Sequence, residues 1–180
     1  MIPFAIWIWL IGFVAFSTTT IVEVILWLTW SAAYFRSGIL IFRRERPFSQ
    51  LKDVALDLDQ LRESFRSLVF PPLAFRRLTH GEYAFREGFS LKPLSHSSLM
   101  HGLIRVDPVR HVLIVEGRML WFNLVLPVFA AVFFVAAGTR ASVIGGFFAI
   151  LLTLQAVIYG IQAWRFGRVA EIAHDQLRSI

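Results

Sequence analysis

The sequence predicts an α+β membrane protein. It has three transmembrane helices, one N-terminal and two forming a C-terminal hairpin, with a small cytoplasmic helix-plus-antiparallel-sheet domain between them. Three observations predict this. Residues Ile2 to Phe35 hold one charge, Glu23, among Trp, Phe, Ile, Leu and Val. A second apolar tract runs from Leu120 to Ala163 and is interrupted only by a short turn around Arg140. Between the two the chain is charged and its apolar period shortens to two, the period of a strand. The expected divisions are an N-terminal span with an interfacial extension (1–42), the cytoplasmic domain (43–118), the membrane hairpin (119–164) and an amphipathic tail helix (165–180).

Composition agrees with that layout. Hydrophobic residues make up 57% of the 180 and charged residues 17%, against about 25% charged in a soluble domain. The net charge is +6, and the arginines crowd the ends of apolar segments. Topology and anionic lipid account for them better than nucleic acid. Arg76, Arg77, Arg86 and Arg105 in the middle domain also lack the interleaved exposed aromatics of a nucleic-acid platform. There is no cysteine, which excludes disulfides, thiolate metal sites, iron–sulfur clusters and cysteine nucleophiles.

The first span is flanked by Trp7 and Trp9 at one end and Trp27 and Trp30 at the other. From Trp9 to Trp27 a helix rises roughly 27 Å, close to a hydrocarbon core of about 30 Å. The N-terminus has no Lys or Arg and its apolar run exceeds a signal-peptide core, so the segment reads as a retained anchor. Arg36, Arg43, Arg44 and Arg46 follow it and mark the cytoplasmic side, with the N-terminus outside. The patch Ile39–Phe42 is expected to extend the helix or lie in the interface.

Ser49 reads as an N-cap. Leu51, Val54, Leu58, Leu61, Phe65 and Leu68 then follow at helical spacing, opposite Asp53, Asp57, Asp59, Arg62, Glu63 and Arg66. Pro71-Pro72 ends that helix. Tyr83/Phe85 and Phe89/Leu91 alternate around Glu87-Gly88, which predicts a hairpin there. A second hairpin joins Leu103–Val106 to Val112–Val115 through Asp107-Pro108, which suits a type I turn. The expected sheet has about four strands, with the helix covering one face.

The second span, Leu120–Ala137, contains Asn123 and Pro127. The third, Val143–Ala163, returns to the basic tail with Arg165 and Arg168, so the turn between them lies outside. Within the tail, Phe166, Val169, Ala173, Leu177 and Ile180 share one helical face. They place it on the membrane or against the middle domain.

Glu23 is the most informative residue, because an ionisable group about 10 Å inside a span is paired, protonated or turned toward protein. Thr19 and Thr20 stand on its face and can reach its carboxyl. No basic residue lies at matching depth in the other spans, so a charged Glu23 calls for a partner on another chain. Ala141, Gly145, Ala149 and Gly160 form a small-residue stripe on the third span that suits close helix packing, first of all on the second span. Gln155 can bond across helices.

No catalytic or metal constellation emerges. His96, His101 and His111 match no zinc spacing. Asp53, Asp57 and Asp59 read as a solvated helix face. Ser97, Ser98, His101 and Asp107 carry triad residue types without a nucleophile elbow. The sequence predicts no cofactor and no metal. Its expected partners are the lipid bilayer and other membrane subunits or further copies of itself, with no nucleic acid. The expected function is that of an accessory or scaffold subunit in the inner or plasma membrane. The alternatives are an oligomeric ion or proton channel or transporter subunit using Glu23, and a lipid-acting membrane enzyme using His96, His101 or Asp107.

Overall fold

The computed structural model describes residues 4–48, 56–66, 70–88, 99–138 and 140–178. In chain order the elements are α1 (Phe4–Leu28), α2 (Ala32–Arg36), β1 (Leu40–Pro47), α3 (Leu58–Ser64), β2 (Leu73–Thr79), β3 (Glu82–Glu87), β4 (Met100–Asp107), β5 (Val112–Met119), α4 (Trp121–Ala136) and α5 (Ala141–Arg178). The class is α+β. The five strands form one antiparallel sheet in the order β1-β5-β4-β3-β2.

β2 to β5 run as a meander, and β1 returns to pair with the last strand. The β4–β5 hairpin forms where the sequence predicts it. Its Asp107 carboxylate accepts from the backbone of Val109 and Arg110, each at 3.0 Å, which closes the turn. Two other strand expectations are corrected. Leu40–Phe42 do not extend a helix, because they open β1, which takes in Arg43, Arg44 and Arg46 and sets Arg43 opposite Glu116. Charged side chains and a terminal proline suit an edge strand. The hairpin that contains Tyr83 and Phe85 turns at His80-Gly81, with Gly81 at φ +75, and β3 has β2 and β4 as its neighbours, while Phe89 and Leu91 of the expected hairpin lie outside the described residues. Glu87 ends β3 as a buried residue.

Both faces of the sheet are covered. On one, α3 and the C-terminal half of α5 enclose Leu61, Phe75, Phe85, Met100, Ile104, Leu113, Val115, Phe166 and Val169. On the other, Tyr34 and Phe35 of α2 rest on Ala84 and Leu103. The predicted helix starting at Ser49 lies partly outside the described residues. The described part begins only at Leu58, where Asp57 caps the amides of Asp59 and Gln60 at 2.9 and 3.1 Å. Close strand contact demands a glycine at Gly102, because a β-carbon there would sit 2.1 Å from the Phe85 ring. That ring is held between Phe75 at 5.5 Å and Phe166 at 4.6 Å. Gly102→Ala is therefore expected to destabilise the fold by roughly 1–3 kcal/mol through overpacking. The urea midpoint of the full chain in detergent checks it, and an unchanged midpoint contradicts it.

The long helices also differ from expectation. The first apolar run is not one helix to Phe35. α1 ends at Leu28, Trp30 takes φ +57, and α2 restarts at Ala32 to lie on the sheet. α4 does not pair along α5. It packs on α1, where Phe16 stacks on Phe129 at 4.8 Å and meets Phe122 at 5.5 Å. α4 and α5 touch chiefly near their connecting turn, where Phe134 meets Phe147 at 5.0 Å. The expected tail helix is continuous with the third apolar segment. Together they make one helix of 38 residues, about 57 Å long.

Gln162, Arg165, Phe166, Val169, Ala170, Ala173, Gln176 and Leu177 form the buried stripe of α5, while its apolar N-terminal half is exposed. α1 and α5 are long and apolar enough to cross a bilayer, and α4 is a shorter apolar helix. Among the described residues, two such helices stand where the sequence predicts three spans.

Candidate functional site

Glu23 is the junction of α1, α2 and α4. It is buried, and its partners lie within this chain. Oε1 accepts from the Tyr34 hydroxyl and from the Trp121 amide, both at 2.7 Å, and Oε2 accepts from the Phe122 amide at 2.5 Å. Trp121 and Phe122 open α4, whose N-cap residue Leu120 offers no side-chain acceptor. A carboxylate placed there satisfies two orphan amides and faces the positive end of the helix dipole. The expectation of a partner on another chain is corrected accordingly.

Thr19 and Thr20 do not reach Glu23. Their hydroxyls donate to Ala15 O and Phe16 O of their own helix, each at 2.8 Å. A cavity of about 290 Å³ opens on one side of the carboxylate, lined by Thr18, Thr19, Val22, Leu26, Ser37 and Trp121. Another of about 270 Å³ is lined by Thr20, Val24, Trp27, Leu120 and Phe122. Burial, and then the hydrogen bond to Glu23, push the Tyr34 phenol well above the usual tyrosine range, so it stays a donor.

His101 lies beneath α2, fully buried, with its ring 4.7 Å from Tyr34 and 5.0 Å from Phe35. Neither ring nitrogen has a hydrogen-bond partner of good geometry. Burial chiefly pushes its pKa down to about 4, against the nearby Ser37 backbone and with the help of the Arg118 charge. The unfolded chain titrates near 6.5 and so binds more protons in the interval. Stability from the neutral ring is fully present above about pH 6.5 and is lost as pH falls through about 4, up to roughly 3 kcal/mol. Urea midpoints at several pH values should show that slope in the wild type and a flatter one in His101→Phe. Equal slopes contradict it.

A second polar cluster fastens α5 to the sheet. Arg165 pairs with Glu87, and both side chains are at most 5% exposed. Arg165 Nη2 also donates to Pro71 O at 2.6 Å. Gln162 donates to Glu87 at 3.2 Å and accepts from the amides of Leu99 and Met100 at 3.0 and 3.2 Å. Arg165 thus sits inside the protein, although the sequence placed it at lipid headgroups.

The other predicted topogenic arginines are mostly paired on the sheet domain. Arg36 pairs with Glu82, Arg43 with Glu45 at 2.8 Å, and Arg44 and Arg168 with Glu171 at 3.5 and 3.0 Å. Arg46 is half-buried on β1 and has no ion pair among the described residues. The stripe Ala141, Gly145, Ala149 and Gly160 is exposed. A β-carbon built at Gly145 or Gly160 would meet nothing within 4 Å, so α4 does not cover it. Gln155 is half-buried and makes no hydrogen bond among the described residues.

The residues of the enzyme alternative are described only in part. His96, Ser97 and Ser98 lie outside the described residues, as does Asp53. His101 and Asp107 stand near opposite ends of β4, roughly 20 Å apart at the strand rise. Among the described residues no group of three or more His, Cys, Asp or Glu could hold a metal ion. Tyr34, Glu87 and Gln162 are the participants that sequence reasoning missed. The chain matches no protein-family model, no characterised protein and no solved structure in the comparisons made.

Proposed function

We propose that this chain is an integral membrane subunit that acts as a non-enzymatic scaffold in a larger complex. In this reading α1 and α5 cross the bilayer and α4 lies within it against α1. The sheet domain is cytoplasmic, as is the C-terminus, and the N-terminus is outside. The observation that carries the reading is the two-part character of α5. Its C-terminal half is locked to the sheet, while its N-terminal half presents an uncovered apolar surface with a small-residue stripe. A rigid helix joining a membrane contact to a cytoplasmic domain suits a part that positions other subunits. The fixed donors around Glu23 support a structural role for it over a proton relay.

The test has two arms. Alkaline carbonate should leave the chain in membranes, and single cysteines placed at Arg110 and Arg140 should label from opposite sides. Native mass spectrometry in mild detergent should show a stoichiometric assembly, and Gly145→Leu with Ala149→Leu should dissociate it while the sheet domain stays folded. A monomer that no partner accompanies, or an assembly indifferent to the stripe, contradicts the scaffold reading.

A further inference from the structure

We propose that the corner formed by Trp27, Trp30, Arg76 and Arg86 binds the phosphate of a lipid headgroup. The proposal rests on the reading that α1 crosses the bilayer. Arg86 of β3 lies beneath the end of α1, with its guanidinium carbon 3.7 Å from the centroid of the Trp27 ring and 4.3 Å from that of Trp30. One nitrogen, Nη1, donates to Trp27 O and so caps α1. Nε is buried and has no partner.

Arg86 also has no carboxylate among the described residues. That sets it apart from Arg36, Arg105, Arg118 and Arg165, each of which has a glutamate. In the register, Ala74 faces Arg86 and Ala84 faces Arg76, so the two arginines are diagonal neighbours on one face, about 7–8 Å apart at the backbone. Arg76 is exposed. Burial first, and then Arg76, draw the Arg86 pKa down to about 10.

Capping α1 uses a single donor and leaves Arg76 unexplained. Two adjacent cations without an acid among the described residues, one of them held between indoles, are an arrangement that an anion stabilises. Trp30 supplies a second sign of a built site. A bulky residue at φ +57 is strained, and such strain concentrates at ligand clamps. Here it brings the indole onto both Phe35, at 5.4 Å, and Arg86. The exposed Val24, one turn before Trp27 on the same side of α1, leads along the helix to this corner. A lipid with its chains along α1 therefore brings its phosphate to the two guanidinium groups, at the interfacial level where tryptophans settle.

The full chain in nonionic detergent can be titrated with short-chain phosphatidylglycerol, with the matching diacylglycerol and with inorganic phosphate, read by calorimetry. Phosphatidylglycerol should bind, and diacylglycerol should bind about tenfold more weakly or not at all. Arg76→Gln should weaken phosphatidylglycerol by about tenfold, and Arg76→Gln with Arg86→Gln should abolish its binding. Arg43→Gln, a glutamate-paired arginine of the same face, should leave it unchanged. Arg76 is exposed, so its variant remains informative if Arg86→Gln does not fold. Equal affinity of wild type and Arg76→Gln for phosphatidylglycerol overturns the site. Inorganic phosphate binding as tightly as the lipid overturns the lipid as its occupant. Carbonate extraction of the chain would defeat the membrane reading alone, and is scored separately from these affinities.

Discussion

Arg165→Met is expected to destabilise the docking of α5 on the sheet by roughly 3–5 kcal/mol, because it takes a buried guanidinium away from both Glu87 and Pro71 O. The pair is almost fully enclosed. Glu87 would keep its bond from Gln162, and Pro71 O would lose its guanidinium partner. Urea unfolding of the full chain in detergent, together with protease cleavage within the C-terminal half of α5, should show the loss. Glu87→Leu with Arg165→Met should recover most of it, since replacing both ends of a buried pair by apolar groups is often neutral. A single variant within about 1 kcal/mol of wild type would mean that the pair is solvated and that the apolar stripe alone holds the helix.

That stripe was legible in the sequence, whereas the pair beside it was not. Phe166, Val169, Ala173 and Leu177 repeat at helical spacing, and they are buried against the sheet. Arg165 reads from sequence as a headgroup arginine because nothing local distinguishes a buried arginine from an interfacial one. Its acid lies 78 positions away, in a segment where Glu87-Gly88 imitates a turn. β1 escaped for a related reason. It carries four charged residues in eight positions, so it has no apolar alternation to read. Long-range pairing with β5 makes it a strand, and an edge place lets those charges stay solvated. The β4–β5 hairpin needed no such help, because its alternation and its Asp-Pro turn are both local.

The candidate site divides the same way. A carboxyl in an apolar run announces that it must be satisfied, and the sequence shows that much for Glu23. It does not show by what, because two of the three donors are backbone amides that any residue would supply. The third, Tyr34, becomes available only because α1 stops at Leu28 and the chain turns back through Trp30. The same turn seats Trp27 and Trp30 on Arg86, so one strained residue organises both the carboxylate junction and the cationic corner.

Glu23→Leu should release the start of α4 from α1 and α2, at roughly 3–5 kcal/mol, by leaving three donors without their acceptor. Glu23→Gln separates the possible roles of the carboxyl. Its amide oxygen can still accept from Tyr34 and Trp121, but its NH2 group meets the Phe122 amide donor to donor. About half of the loss, with the negative end of the dipole interaction also gone, is therefore expected for Gln. Glu23→Asp keeps the charge on a shorter arm and should fall between wild type and Gln. Thermal unfolding of the full chain in detergent, combined with labelling of a single cysteine at Trp121, measures the release directly. If Glu23 acted instead as a titrating relay, Glu23→Gln would leave unfolding and labelling untouched and would abolish pH-dependent flux in proteoliposomes. The scaffold reading requires the opposite pattern, because a carboxylate that caps one helix and anchors the hydroxyl of another serves the packing of α1 against α4 before any transfer of protons.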